Sequence, residues 1–137
     1  MKKVLILCTG NSCRSIMAEG LINEYFKGKI KAYSAGSNPS GKVNENAKKV
    51  LVEKDAWSDE YHSKTVDEVL KYAPFDLVVT VCDNAKESCP TFPGAKKIIH
   101  VGFEDPDGKD FSKFVKTANE IKKRLFPILE KLFYKNN

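Results

Sequence analysis

Apolar and polar positions fall into short blocks along this chain, and the blocks predict its elements. Lys2 to Leu7 ends in an unbroken apolar run, Val4-Leu5-Ile6-Leu7. Such a run reads as a strand buried on both faces of a parallel sheet. A polar, glycine-containing turn from Cys8 to Arg14 follows, and then Ile16, Met17, Ala18, Leu21, Ile22, Tyr25 and Phe26 recur at helical spacing. Ala32 to Gly36 reads as a second strand and Ser37 to Gly41 as a loop. Asn44 to Lys54 reads as a helix with Ala47, Val50 and Leu51 on one face. Thr65-Val66-Asp67-Glu68 has the capping-box pattern and opens a short helix to about Tyr72. Phe75 to Val81 is a third strand ending at Cys82, and Lys96 to Val101 holds a short fourth around Ile98-Ile99. Residues 111–134 form a long amphipathic helix that Pro127 is expected to kink or interrupt.

Strands alternating with helices imply an α/β fold. The expected architecture is a single domain over residues 1–137. Its core is a four-stranded parallel open sheet, order 2-1-3-4, with helices on both faces. Ligands of such sheets bind beyond the carboxyl ends of the strands. Cys8 and Cys82 each lie just past such an end, so two cysteines distant in sequence are expected at one edge of the sheet.

Composition removes several classes. No apolar stretch approaches the roughly 20 residues of a membrane span. The N-terminal apolar run is too short for a signal peptide, so a cytoplasmic protein is expected. In that compartment the four cysteines, Cys8, Cys13, Cys82 and Cys89, call for a chemical explanation rather than a structural one. Charge does not point to nucleic acid. Residues 1–108 carry 15 basic and 15 acidic side chains, so the net charge of +5 resides entirely in the last 29 residues. That segment reads as the solvated face of a helix, with a docking surface for an acidic partner as the alternative. Arginine occurs twice, as Arg14 and Arg124, against 21 lysines. Planar bidentate recognition is therefore worth considering at each.

Cys8-Thr9-Gly10-Asn11-Ser12-Cys13-Arg14-Ser15 is a Cys-x5-Arg-Ser loop between a buried strand and a helix. Five intervening residues let the backbone of Thr9, Gly10, Asn11, Ser12 and Cys13 wrap a tetrahedral oxyanion with N–H groups inward. The helix N-terminus adds positive potential. Arg14 can close the ring with two hydrogen bonds. Gly10 is expected to take a conformation that a Cβ would resist. The same donors that hold an oxyanion favour a thiolate at Cys8, and Ser15 can donate to its sulfur. Cys13 reads as a packed bystander.

Phe103-Glu104-Asp105-Pro106-Asp107-Gly108 supplies a carboxyl group. Asp105, restricted by Pro106, can protonate a departing substrate oxygen; Glu104 and Asp107 compete for the role. Cys82 and Cys89 enclose six residues. No Cys-x2-Cys pair accompanies them, and His62 and His100 lack ligand spacing with them, so zinc is not expected. If residues 82–89 are helical when reduced, seven rises of about 1.5 Å place the two Cα atoms about 10 Å apart. A disulfide tolerates at most about 7 Å. Oxidation would have to unwind the segment, which makes it a candidate redox switch.

Residues 8–15, followed by Met17-Ala18-Glu19-Gly20, resemble the phosphate loop of the low-molecular-weight tyrosine phosphatase superfamily. Tyr33-Ser34-Ala35-Gly36, Asp76 to Cys82, the Cys82/Cys89 pair and Gly102-Phe103-Glu104-Asp105-Pro106 resemble its thioredoxin-coupled arsenate reductases. The resemblance implies that Cys8 attacks arsenate held by the loop and Arg14, while Asp105 protonates the leaving oxygen. It further implies that Cys82 attacks Cys8, that Cys89 attacks Cys82, and that thioredoxin reduces the final disulfide. Phosphate and sulfate would compete; a monomer is the default, and composition points to no nucleic acid or membrane partner. No tightly bound cofactor is implied beyond a potassium ion, whose site would include Asn11, Glu19 and Ser34. The fourth position of that site falls near Thr65, where no acid stands, and Asp67 is two residues on. Val101 replaces the usual Trp before Gly102, and Asp55 to Tyr61 departs from the usual hydrophobic turn. A low-molecular-weight phosphatase using Cys8, Arg14 and Asp105 is the alternative. A non-catalytic oxyanion-binding or thiol redox sensor module is the third reading.

Overall fold

The computed structural model describes residues 1–83, 92 and 95–134. β1 (Lys2–Cys8), β2 (Ile30–Gly36), β3 (Leu77–Thr80) and β4 (Ile98–His100) form one parallel sheet in the order β2-β1-β3-β4. The central position of β1 explains its unbroken apolar run. Alternate side chains of one strand leave on opposite faces, and both faces are covered. Val4, Ile6 and Cys8 enter a core shared with α1 (Arg14–Tyr25), α2 (Glu45–Glu53) and α4 (Phe111–Phe133). Leu5 and Leu7 enter a second core with Val69, Phe75, Val78 and Phe92, beneath α3 (Val66–Val69) and the 3-10 turn Leu70–Tyr72. Each such fully buried side chain contributes about 1.5–3 kcal/mol relative to exposure.

Several boundaries differ from expectation. β2 starts two residues earlier, at Ile30, and β3 and β4 are shorter than their apolar stretches. β4 is an edge strand, and Ile98 is half exposed there. β1 runs through Cys8 instead of ending before it. The largest departure is α4, which continues past Pro127 to Phe133. Proline removes the bond to the carbonyl of Lys123, but Pro127 and Lys123 are both exposed, so water can satisfy that oxygen. The buried stripe Ile121, Leu125, Phe126 and Leu129 holds the helix on either side.

Trp57 has a local role. Its ring packs edge-on against Tyr61 beneath the Lys48 ammonium, and its indole N–H donates to Asp59. Among the described residues, no helix is long and apolar enough to cross a membrane.

Candidate active site

The loop after β1 is shaped by where its carbonyls go. The carbonyl oxygens of Cys8, Thr9, Gly10 and Ser12 accept from the backbone N–H groups of Ser37, Asn38, Ser40 and Asn44, and Ser63 Oγ also donates to Gly10. In a trans peptide the next N–H points the opposite way. Carbonyls fastened outward to the 37–44 segment therefore turn the N–H groups of Thr9, Gly10, Asn11 and Cys13 toward the concave side. The Asn11 N–H accordingly lies 3.4 Å from Cys8 Sγ. α1 adds to the same field. It begins after Cys13 with no side-chain cap and no acidic residue in its first turn, whereas α2 and α3 are capped by Asn44 and Thr65. Its positive end is thus directed at the loop.

The left-handed residue of the loop is Asn11, at φ 48°, and not Gly10. A Cβ at Gly10 would meet nothing nearer than Ser12 Oγ at 3.8 Å. Asparagine tolerates the left-handed region better than most residues, and here its buried side chain is held at both ends. Asn11 Oδ1 accepts from the Lys64 N–H at 2.9 Å, which leaves Nδ2 to donate to Ser15 Oγ at 2.8 Å. Ser15 then has its own proton for Cys8 Sγ, 3.1 Å away. The direction of this chain leaves the Ser15 hydroxyl free to donate to Cys8 Sγ.

Gly36 was not among the expected site residues, and it is required here. A Cβ on it would stand 2.5 Å from the Thr9 carbonyl oxygen and 3.0 Å from Asn11 Cβ. The signal was the glycine itself at the carboxyl end of β2, opposite Cys8 in register.

Arg14 is buried. Its guanidinium donates to the Phe103 carbonyl at 3.1 Å and lies 3.5 Å from Asp105 Oδ2. The second arginine meets the same segment. Arg124 donates to the Gly102 carbonyl and stacks 4.7 Å over the Phe103 ring. Asp105 is half exposed at the rim, with Oδ1 accepting from the Asp107 N–H. Its competitors are engaged elsewhere, Glu104 with Lys109 and Asp107 with the Asn44 amide. Beside Ser12 lies a cavity of about 460 Å³ lined by Ser40, Lys42, Val43, Asn44 and Asp107 among others; among the described residues no aromatic ring lines it.

The cysteines separate by environment. Cys8 and Cys13 are free thiols. Burial pushes the Cys13 thiol up to about 12, against the opposing hydrogen bond with Ser12, and so disfavours its thiolate. Cys82 is buried and disulfide-bonded. The β1–β3 register pairs Leu7 with Thr80, and the Val81 N–H donates to the Leu7 carbonyl. Cys82 thus follows the residue opposite Cys8, at the same sheet edge. Cys89 lies outside the described residues, as does the segment in which unwinding was expected.

The sequence model described as "Low molecular weight phosphotyrosine protein phosphatase" matches residues 3–137. The chain belongs to that family. Arsenate reductase 1 of Staphylococcus saprophyticus is 43% identical over 122 residues, covering 88% of this chain and 91% of its own. A solved arsenate reductase from Archaeoglobus fulgidus is 37% identical with a TM-score of 0.78, over 91% of this chain and 97% of that one. A low-molecular-weight protein tyrosine phosphatase from T. tengcongensis is 30% identical with a TM-score of 0.77, over 96% and 99%. Reductases and phosphatases thus share this low-molecular-weight phosphatase fold.

The residues expected around potassium are adjacent in this family member, but a lysine joins them. Ser34 Oγ donates to Glu19 Oε1 at 2.6 Å, and the Lys64 ammonium lies 3.9 Å from the same carboxylate oxygen. The positive charge of this pocket is therefore already supplied by a side chain, and the constellation does not fit a further metal cation. Among the described residues, no group of three His, Cys, Asp or Glu side chains could hold a metal ion. Sequence reading sought an acid near Thr65 and passed over its neighbour Lys64.

Proposed function

We propose that this chain reduces arsenate to arsenite by a three-cysteine relay. The observation that carries the reading is Cys82, a second redox-competent sulfur at the sheet edge beside the oxyanion loop, where a phosphatase needs only water. The Cys8 thiolate attacks arsenic, and the departing oxygen leaves as water after protonation by Asp105. The Cys82 thiolate then attacks Cys8 Sγ. The electron pair of the S–As bond passes to arsenic, which leaves as arsenite, and a Cys8–Cys82 disulfide remains. Attack by Cys89 on Cys82 frees the Cys8 thiolate and leaves a Cys82–Cys89 disulfide for the thioredoxin dithiol. Two electrons enter from thioredoxin and two reach arsenic in each turn. Phosphate and sulfate fit the same loop and compete. A relay dependent on thioredoxin assigns the protein to the cytoplasm. The 43% and 37% identities to proteins named arsenate reductase support the substrate, and among the described residues the cavity beside Ser12 has no aromatic wall for a phosphotyrosine ring.

The test is arsenate-dependent NADPH oxidation coupled through thioredoxin and thioredoxin reductase. Turnover is expected, with none from Cys8→Ser or Cys82→Ser. No turnover, together with aryl phosphate hydrolysis that survives Cys82→Ser, would make the chain a phosphatase instead.

A further inference from the structure

Lys64 sits where its charge and its backbone do two different things. Its side chain is buried, at 9% exposure, and among the described residues its ammonium meets oxygens: the His62 carbonyl at 2.7 Å, Ser34 Oγ at 3.5 Å and Glu19 Oε1 at 3.9 Å. Its main chain is tied on both sides, the N–H to Asn11 Oδ1 at 2.9 Å and the carbonyl to the Gly36 N–H at 2.9 Å. The residue therefore joins α1, the end of β2 and the phosphate-binding loop.

Glu19 explains why a cation belongs here. Its carboxylate is buried on α1, and burial pushes its proton affinity up while the Lys64 charge pulls it down. A buried carboxylate without a partner is strongly destabilising. An ion drawn from solution could supply that partner only as fast and as often as its concentration allows. A tethered ammonium is present at a high effective concentration in every molecule. A second cation would need a second acid. Thr65 Oγ1 is instead bonded to the Glu68 N–H, and Asp67 is exposed.

We propose that Lys64 is a covalently tethered substitute for a bound monovalent cation. The ammonium anchors Glu19 and Ser34. Its own N–H fixes the Asn11 amide, the amide directs the Ser15 proton, and that proton points at Cys8 Sγ. Lys64 touches no reacting atom and acts as a positioning residue. The inference holds for any chemistry run by Cys8, so it stands whether or not arsenate is the substrate.

The test compares potassium, sodium and choline chlorides at equal ionic strength. It reads the thermal midpoint and the rate of Cys8 alkylation by iodoacetamide, followed on the Cys8 peptide. Neither readout needs turnover. The natural protein should give the same values in all three salts. Lys64→Ala opens room for an ion. Its midpoint should fall by roughly 10 °C or more in choline, as expected for a buried carboxylate that loses its partner. Potassium should restore part of the midpoint and of the alkylation rate, saturably. If Lys64→Ala does not fold, the double variant Glu19→Gln/Lys64→Met removes both charges. It should fold and be indifferent to potassium. The proposal is overturned by saturable potassium stabilisation of the natural protein. It is equally overturned by a Lys64→Ala variant that is impaired alike in every salt, or by a potassium response in the double variant.

Discussion

The floor and the rim of the site are built in opposite ways. On the floor, Asn11, Ser15, Glu19, Ser34 and Lys64 are all buried and joined by hydrogen bonds or an ion pair. At the rim, Asp105 is 47% exposed, and its Oδ2 lies 3.5 Å from the Arg14 guanidinium. A buried, hydrogen-bonded network has one low-energy arrangement and holds Cys8 still. An exposed carboxylate keeps its freedom, as the proposed protonation of a departing oxygen requires. Changes to the floor should therefore alter stability and reactivity together, while changes to the rim should alter rate alone.

The largest effect expected from this contrast is at the rim. Asp105→Asn removes the proposed proton donor and should lower kcat by about 10²–10⁴-fold, the usual contribution of a positioned acid. The thermal midpoint should scarcely move, because a half-exposed ion pair is worth about 0–1 kcal/mol. A midpoint that falls with kcat would show that Asp105 belongs to the fixed floor, and the division would fail. On the floor, Gly36→Ala is the converse. A Cβ 2.5 Å from the Thr9 oxygen must displace the loop or the end of β2. Stability should drop by about 1–3 kcal/mol, as for other overpacked sites. Cys8 alkylation should slow in the same variant. A destabilised variant with unchanged Cys8 reactivity would uncouple the floor from Cys8.

The two regions were also unequally legible in the sequence. Val4 to Leu7 announced a doubly covered strand because burial on both faces leaves no polar positions. Cys8 to Ser15 was legible because the whole oxyanion loop is contiguous, and each residue type has a local reason to be there. Lys64 was not, since burial of one lysine among 21 is decided by packing between α1, β2 and the 62–64 segment, which no local pattern records. Gly36 was visible as a residue, but its reason is the approach of Thr9, 27 positions earlier. Gly10 misled because glycine suggests positive φ, while the tertiary bonds of Asn11 made asparagine the residue to take it. Pro127 misled for a related reason. Its missing N–H costs little where the opposed carbonyl faces water and the apolar stripe continues.

The smallest expected effect is a control at the far end of the sheet. Asp76 precedes β3 and exchanges two backbone-linked bonds with Lys3, its Oδ2 accepting the Lys3 N–H at 2.8 Å and its own N–H reaching the Lys3 carbonyl at 2.8 Å. The Lys3 N–H first, and the Lys96 ammonium after it, hold the Asp76 carboxyl below its ordinary range. A depressed folded pKa means that the folded state binds fewer protons than the unfolded one. The stabilisation is therefore complete above the ordinary aspartate range near pH 4 and is lost as pH falls through the lower folded value. Asp76→Asn should cost about 1 kcal/mol at pH 7, the worth of one such bond. The gap from the natural protein should close in strong acid, as seen in urea unfolding at a series of pH values. The Cys8 alkylation rate should not change. A slower rate would mean that strain travels along β1 from Lys3 to Cys8, and that the floor is stiffened by the whole central strand rather than by the bonds around Lys64.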